Sequence, residues 1–257
     1  FATVANRETP DGGSTILAGN QKVLSARLSD AKFFWDNDLR TIKTDGLDIW
    51  LEKLKRVTFH NKLGSQFERV ERIINLSEII AKKIGCDPKL AKDAAYISKA
   101  DLSSEMVYEF PELQGIMGTY YAKKAGYVAS IADTCKDHYA PLGPSDEVPG
   151  SPISTVVALA DKIDTLTNFW AIKEKPTGSK DPFALRRSAL GMIRIIIEND
   201  IRISLSEILA LGNQNANLED LKEFIYQRMK VFLREKELRH DIIDACLSID
   251  NDRQASM

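Results

Sequence analysis

The stretch VERIINLSEIIAKKIGCDP, residues 70–88, decides the fold class. From Val70 to Ile84 apolar side chains return at helical spacing, Gly85 stops the pattern, and Asp87-Pro88 opens the next helix in the favoured order of cap, then proline. Working outward toward the N-terminus, Leu47 to Leu54 keeps the same period. Val23, Leu24, Ala26, Leu28, Ala31 and Phe34 fall along one stripe of an earlier helix, preceded by a loop at Asp11-Gly12-Gly13-Ser14. In the other direction Lys89 to Met106 reads as one helix. Pro111 interrupts the pattern, and Leu113 to Ala122 resumes it as a small-residue helix whose Gly115 and Gly118 permit close packing. Ile153 to Trp170 is strongly apolar on one face, and a further helix carrying Arg186, Arg187 and Arg194 begins at Asp181-Pro182. Ile203 to Ser248 holds two or three amphipathic segments, and Ile193 to Ile197 is the only β-looking run. The expectation is an all-α fold.

Prolines 141, 144, 149 and 152, with Gly143 and Gly150, make the segment from Tyr139 to Pro152 the one long irregular connection. With 44% hydrophobic residues the chain can bury an ordinary core. The 35 Lys and Arg against 37 Asp and Glu leave a net charge of -2, so no global field steers it to nucleic acid and any RNA contact must use a local basic patch. Cys86, Cys135 and Cys246 are far apart and odd in number, which argues against a disulfide scaffold and a thiolate metal site and fits a reducing cytoplasm. No run approaches the roughly 18 to 20 apolar residues of a membrane span. Phe1 to Pro10 lacks the order of a signal peptide, and the missing initiator methionine suggests a fragment.

Three short stretches look like a degraded HD-type phosphohydrolase site, a helical arrangement in which one His, a His-Asp pair and a later Asp hold a metal that activates water. The positions are His60, Ala100-Asp101 and Asp161. Ala100 offers no imidazole, which leaves too few ligands to fix a divalent ion. Asp101 and Asp161 are therefore expected as buried or semi-buried helix carboxylates satisfied by Lys or backbone partners, with no metal bound and His60 an ordinary polar residue. The rival is a metal-dependent phosphohydrolase. His138 and His240 are expected as surface or capping groups, because no HExxH spacing exists. No GxxxxGK[ST] loop and no GxSxG elbow is present, so no catalytic residue is assigned.

The segment Lys173 to Pro182 carries a flexible basic loop into a helix whose free N–H groups could meet a phosphate. Lys173, Lys175, Lys180, Arg186, Arg187 and Arg194 are the RNA-contact candidates, although Asp181 at the cap opposes an anion. The alternative is a helix cap with a solvated charge run.

Several strings resemble one family. Gly19 to Phe34, Lys99-Ala100-Asp101-Leu102, Glu109 to Gly118, Ala160 to Leu166 and Pro176 to Gly191 are similar, in order and spacing, to the β subunit of the bacterial two-subunit glycyl-tRNA synthetase. The resemblance covers nearly all of the chain. It implies a connector and helix over 1–45, an HD-like helical domain over 46–200 without its full ligand set, and a helical segment over 201–257 leading to an anticodon-binding domain. It also implies an α2β2 assembly with the α subunit, ATP- and Mg-dependent glycylation of tRNA-Gly with that chemistry in the α subunit, and tRNA binding by the β subunit. No cofactor is expected on this chain itself. A purely structural domain that docks the α subunit is the remaining alternative.

Overall fold

The computed structural model describes residues 1–245. In chain order the helices are α1 (Ser14–Asp45), α2 (Asp48–Leu54), α3 (Gln66–Ile84), α4 (Pro88–Ile97), α5 (Glu105–Glu109), α6 (Ile116–Lys124), α7 (Ala129–Ala132), α8 (Thr134–Asp137), α9 (Pro152–Ala171), α10 (Leu185–Glu198), α11 (Leu205–Leu209) and α12 (Leu218–Glu235). The all-α expectation holds. The only sheet among the described residues is a small antiparallel hairpin, β1 (Thr58–His60) with β2 (Gly64–Ser65), which places His60 on a strand.

Local chemistry sets α3 and α4 as the sequence indicates. Ser65 and Glu68 form a reciprocal capping box: the Glu68 N–H donates to Ser65 Oγ at 3.2 Å and the Ser65 N–H donates to Glu68 Oε2 at 2.6 Å. Gly85, at φ 75, ends α3 in the left-handed conformation that glycine adopts without strain. Asp87 then accepts the Lys89 and Leu90 N–H groups, with Pro88 in the first turn of α4.

The centre of the fold is α9. Every residue from Ile153 to Trp170 is buried, so the one-sided apolar face expected there gives way to a helix enclosed by α3, α4, α8, α10 and α12. The main buried apolar cluster takes residues from Ile42 to Phe232, and a smaller one joins Leu51, Leu54, Val70 and Ala100. Enclosure forces the polar residues of α9 inward, where each needs a partner.

Two further expectations are corrected by tertiary structure. The single helix foreseen over Lys89 to Met106 is split: α4 ends at Ile97, a 3-10 turn covers Ala100–Ser103, and α5 restarts at Glu105. The restart is capped locally by Ser104 and from a distance by Asp38 of α1, whose carboxylate accepts the N–H groups of Glu105 at 3.0 Å and Met106 at 3.1 Å. The β-looking run Ile193 to Ile197 lies inside α10, where packing on α9 overrides the strand preference of β-branched residues. The C-terminal half of α1 packs on α5 and α6, with Trp35 stacked on Tyr121 at 5.4 Å, while residues 21–30 of the same helix are exposed.

Candidate functional site

Asp101, from the 3-10 turn, and Asp161, from the middle of α9, belong to one buried polar centre. Its other members are Arg69 and Arg72 of α3, Lys99, His138, and Lys162 and Asp164 of α9. Asp161 Oδ1 accepts from Lys99 Nζ at 2.9 Å and from Arg69 Nη2 at 3.0 Å. One turn further along α9, Asp164 Oδ1 accepts from Arg72 Nε at 2.6 Å and from Asn168 Nδ2 at 2.8 Å. Two arginines three residues apart on α3 thus meet two aspartates three residues apart on α9.

Lys99 also donates to His138 Nε2 at 2.9 Å. An ammonium has only donors, so Nε2 must accept and Nδ1 carries the proton that it gives to the Thr134 carbonyl at 2.9 Å. Burial, reinforced by the adjacent Lys99 charge, holds the His138 pKa well below its ordinary value and keeps the ring neutral. The expectation that this histidine is a surface or capping group is corrected: it is buried, because the chain turns inward before the proline-rich connection.

The electrostatics follow from burial set against partners. Burial works to raise the Asp161 pKa, but Arg69, Lys99 and Lys162 overcome it and hold the carboxyl below the usual carboxylate range. Burial pulls Lys162 down to about 8, with its ammonium donating to the carbonyls of His138 at 3.3 Å and Ala140 at 2.9 Å. Burial raises Asp101 from 3.8 to about 6, against the Gly115 and Gly118 N–H groups and the Lys99 charge that favour its ionised form. Those two N–H groups donate to Asp101 Oδ2 at 2.6 Å and 2.9 Å, while Oδ1 is buried without a hydrogen-bond partner. Gly115 and Gly118 are needed for this approach. A Cβ on Gly118 would lie 3.0 Å from the Asp101 carboxyl carbon, and one on Gly115, at φ 78, would lie 2.7 Å from the Cys135 carbonyl oxygen.

This donor set does not fit a divalent ion. The Asp161 oxygen that a metal would share is taken by two cations, Lys99 has no lone pair to offer while protonated, and Ala100 contributes nothing. Among the described residues no group of three or more His, Cys, Asp or Glu is placed to hold a metal. His60 pairs with Glu174 at 3.1 Å and packs edge-on against Phe169 and Phe183, none of which partners Asp101 or Asp161. The charge that a metal would bring is supplied by Lys99 and Arg69.

The basic loop is arranged differently from its sequence reading. The helix foreseen at Asp181-Pro182 begins at Leu185, and Asp181 caps it from outside, its carboxylate accepting the Leu185 and Arg186 N–H groups at 2.9 Å each. Those groups are therefore not free for a phosphate. Lys173, Lys180 and Arg187 are exposed and make no side-chain hydrogen bond or ion pair among the described residues. Lys175 pairs with Asp220, which also accepts from the Trp170 indole. Arg186 donates to the Gly178 carbonyl at 2.6 Å. Arg194 is buried and faces inward, donating to the carbonyls of Gly143 at 3.0 Å and Asp146 at 2.6 Å and to Glu198. The ion-pair partners Arg69 and Lys99 were missed by the sequence reading. The matched spacing of Arg69 and Arg72 with Asp161 and Asp164 was the available signal; nothing marked His138.

Fold and site together define a helical protein in which Asp161 and Asp164 are paired internally with Arg69, Arg72 and Lys99, with unpaired basic side chains at the loop and start of α10 on the surface. The chain belongs to the glycyl-tRNA synthetase β-subunit family: the family profile described as "Glycyl-tRNA synthetase beta subunit" matches residues 1–248. The glycine--tRNA ligase beta subunit of Ruegeria sp. (strain TM1040) is 62% identical over 251 residues. The proteins of the same name from Cereibacter sphaeroides (strain ATCC 17029 / ATH 2.4.9) and Rhodospirillum centenum (strain ATCC 51521 / SW) are 59% identical over 261 residues and 51% identical over 259. Each alignment covers 97% of this chain, which spans only 36% to 37% of the length of these relatives.

Proposed function

We propose that this chain is a tRNA-holding scaffold within a glycine-tRNA ligase β subunit, supporting ATP-dependent glycylation of tRNA-Gly by an α subunit in a cytoplasmic heterotetramer, with ATP and Mg bound on that other polypeptide. The names of its relatives supply the reaction. The closure of the polar centre carries the scaffold reading: with Asp161 taken by Lys99 and Arg69, no described carboxylate is poised to activate water through a metal. What remains available to a ligand is surface charge, and Lys173 and Lys180 of the loop with Arg187 of α10 are the cations free to meet phosphates, while Arg194 acts from inside as a brace.

The test is a titration of tRNA-Gly into the full-length protein that carries this chain, repeated over a salt series. Log affinity should fall with log salt by roughly 0.7 to 0.9 per phosphate contacted, and Lys173→Gln with Lys180→Gln should lower that slope by about 1 to 2. Binding that ignores salt, or no binding, ends the reading.

A second role, docking of the α subunit, is favoured by one observation. Leu17, Leu24 and Leu28 continue along α1 the face that Ala31, Trp35 and Ile42 bury on the body, yet they remain 48%, 39% and 62% exposed. Leu24→Glu with Leu28→Glu should release the α subunit and leave tRNA affinity unchanged; retained assembly removes this role.

A further inference from the structure

We propose that the cleft between α10, α12 and the proline-rich connection holds one unstacked RNA nucleotide, its base against the apolar floor and its phosphate against Arg187 and Arg228. This rests on the tRNA reading above and deepens it. The cleft encloses about 430 Å³ and is lined by Leu142, Leu190 and Phe232 together with those arginines. That volume lies in the range of sites that enclose small ligands.

The cleft is built in advance of any ligand. Its proline-rich wall is pinned by Arg194 at the Gly143 and Asp146 carbonyls, and Asp146 in turn accepts the Leu142 and Gly143 N–H groups at 3.0 and 2.8 Å. On the α10 side Gly191 passes so close to the polar centre that a Cβ there would lie 2.7 Å from Lys162 Cε. A wall fixed at both ends keeps its shape when a ligand enters, so little ordering cost falls on binding.

The chemistry of the lining selects the ligand. Arg194 is balanced by Glu198 at 2.8 Å, which leaves Arg186, Arg187 and Arg228 facing Glu235 alone, in a chain whose net charge is -2. Arg187 is exposed and makes no side-chain hydrogen bond or ion pair among the described residues, and Arg228, which lines the same cleft, makes none either, so both guanidinium groups keep donors for an anion. The Arg228 guanidinium also lies 6.0 Å from the Phe224 ring centroid. Duplex RNA presents its bases stacked and paired, so it has nothing to set against Leu142, Leu190 and Phe232. An unpaired nucleotide offers a flat apolar face and a phosphate together. An acidic peptide would match the charge and leave the apolar floor empty.

The experiment uses the full-length protein with three probes: tRNA-Gly, a short single-stranded oligoribonucleotide, and a duplex of the same length. Arg187→Gln with Arg228→Gln should lower the single-strand salt slope by about 0.7, for the one phosphate that both arginines meet. Leu142→Asp, on an exposed side chain that folding does not need, should weaken single-strand binding roughly tenfold and spare the duplex. Equal affinity for duplex and single strand, an unchanged slope in the double variant, or displacement of the oligonucleotide by polyglutamate at matched charge would each overturn the proposal. If these variants are silent while Lys173→Gln with Lys180→Gln still lowers the tRNA slope, the cleft alone falls and the scaffold reading stands. If the unmodified protein shows no salt-dependent tRNA binding, both fall.

Discussion

Asp101→Asn should flatten the stability of this domain between pH 4 and pH 6. Burial lifts the Asp101 pKa from 3.8 to about 6 in the folded protein, so between these values the folded chain holds a proton that the unfolded chain has released. A group with a raised folded pKa contributes stability that is complete below the unfolded value and is lost as pH rises through the folded one. The displacement corresponds to about 3 kcal/mol lost between pH 4 and pH 7. An asparagine at 101 keeps a carbonyl oxygen to accept the Gly115 and Gly118 N–H groups and has no proton to lose. Its amide nitrogen, in the place of the unpartnered Oδ1, adds an offset that does not vary with pH. The assay is urea unfolding of both proteins from pH 4.5 to pH 7, plotting the difference in unfolding free energy. Subtraction cancels the other acids, including Asp38 and Asp164, which burial also raises. The variant should gain on the parent steadily as pH rises toward 7. A difference that is flat in pH, or that runs the other way, would refute the account of this carboxylate.

Two further outcomes follow from the same packing. Lys99→Met leaves Asp161 with Arg69 alone and should cost about 3 kcal/mol in urea unfolding, of which Asp161→Asn in the same chain should restore a large part; a cost below about 1 kcal/mol would mean that Lys99 does not neutralise Asp161. Gly118→Ala would place a methyl 2.9 Å from Cys135 Cβ and 3.0 Å from the Asp101 carboxyl, and should lower stability by about 1 to 3 kcal/mol. Gly19→Ala on α1 meets nothing within 4 Å and should raise it by up to about 1 kcal/mol, so equal melting shifts for the two alanines would contradict the packing described.

Elements whose ends are specified by neighbouring residues were legible in the sequence. Gly85 and the Asp87-Pro88 pair stop α3 and start α4 through bonds to residues two to four positions away, and the periodicity between such signals identifies the helices. Legibility failed where distant chain decides. The break after Ile97 depends on Asp38, some 67 residues earlier, capping α5. Ile193 to Ile197 is helical because α9 and α10 pack along their length. The same division runs through the site. Asp101 and Asp161 stood out by their resemblance to a metal motif, and the structure places both in one buried polar centre. A lysine partner was expected for these acids, but that it is Lys99 joined by Arg69 could not be read, because whether a given side chain points to water or to a carboxylate depends on which helix faces it.

By itself the sequence determined the all-helical class and the family, since each rests on residue identity and short-range spacing. Tertiary structure alone decided that α9 is enclosed on every side, that His138 is neutral and buried, and that Arg194 braces a loop while Arg187 is left free. The physical reason is common to all three: the cost of burying a polar group and the identity of the partner that offsets it are set by what packs against it, and that information is spread over residues far apart in the chain.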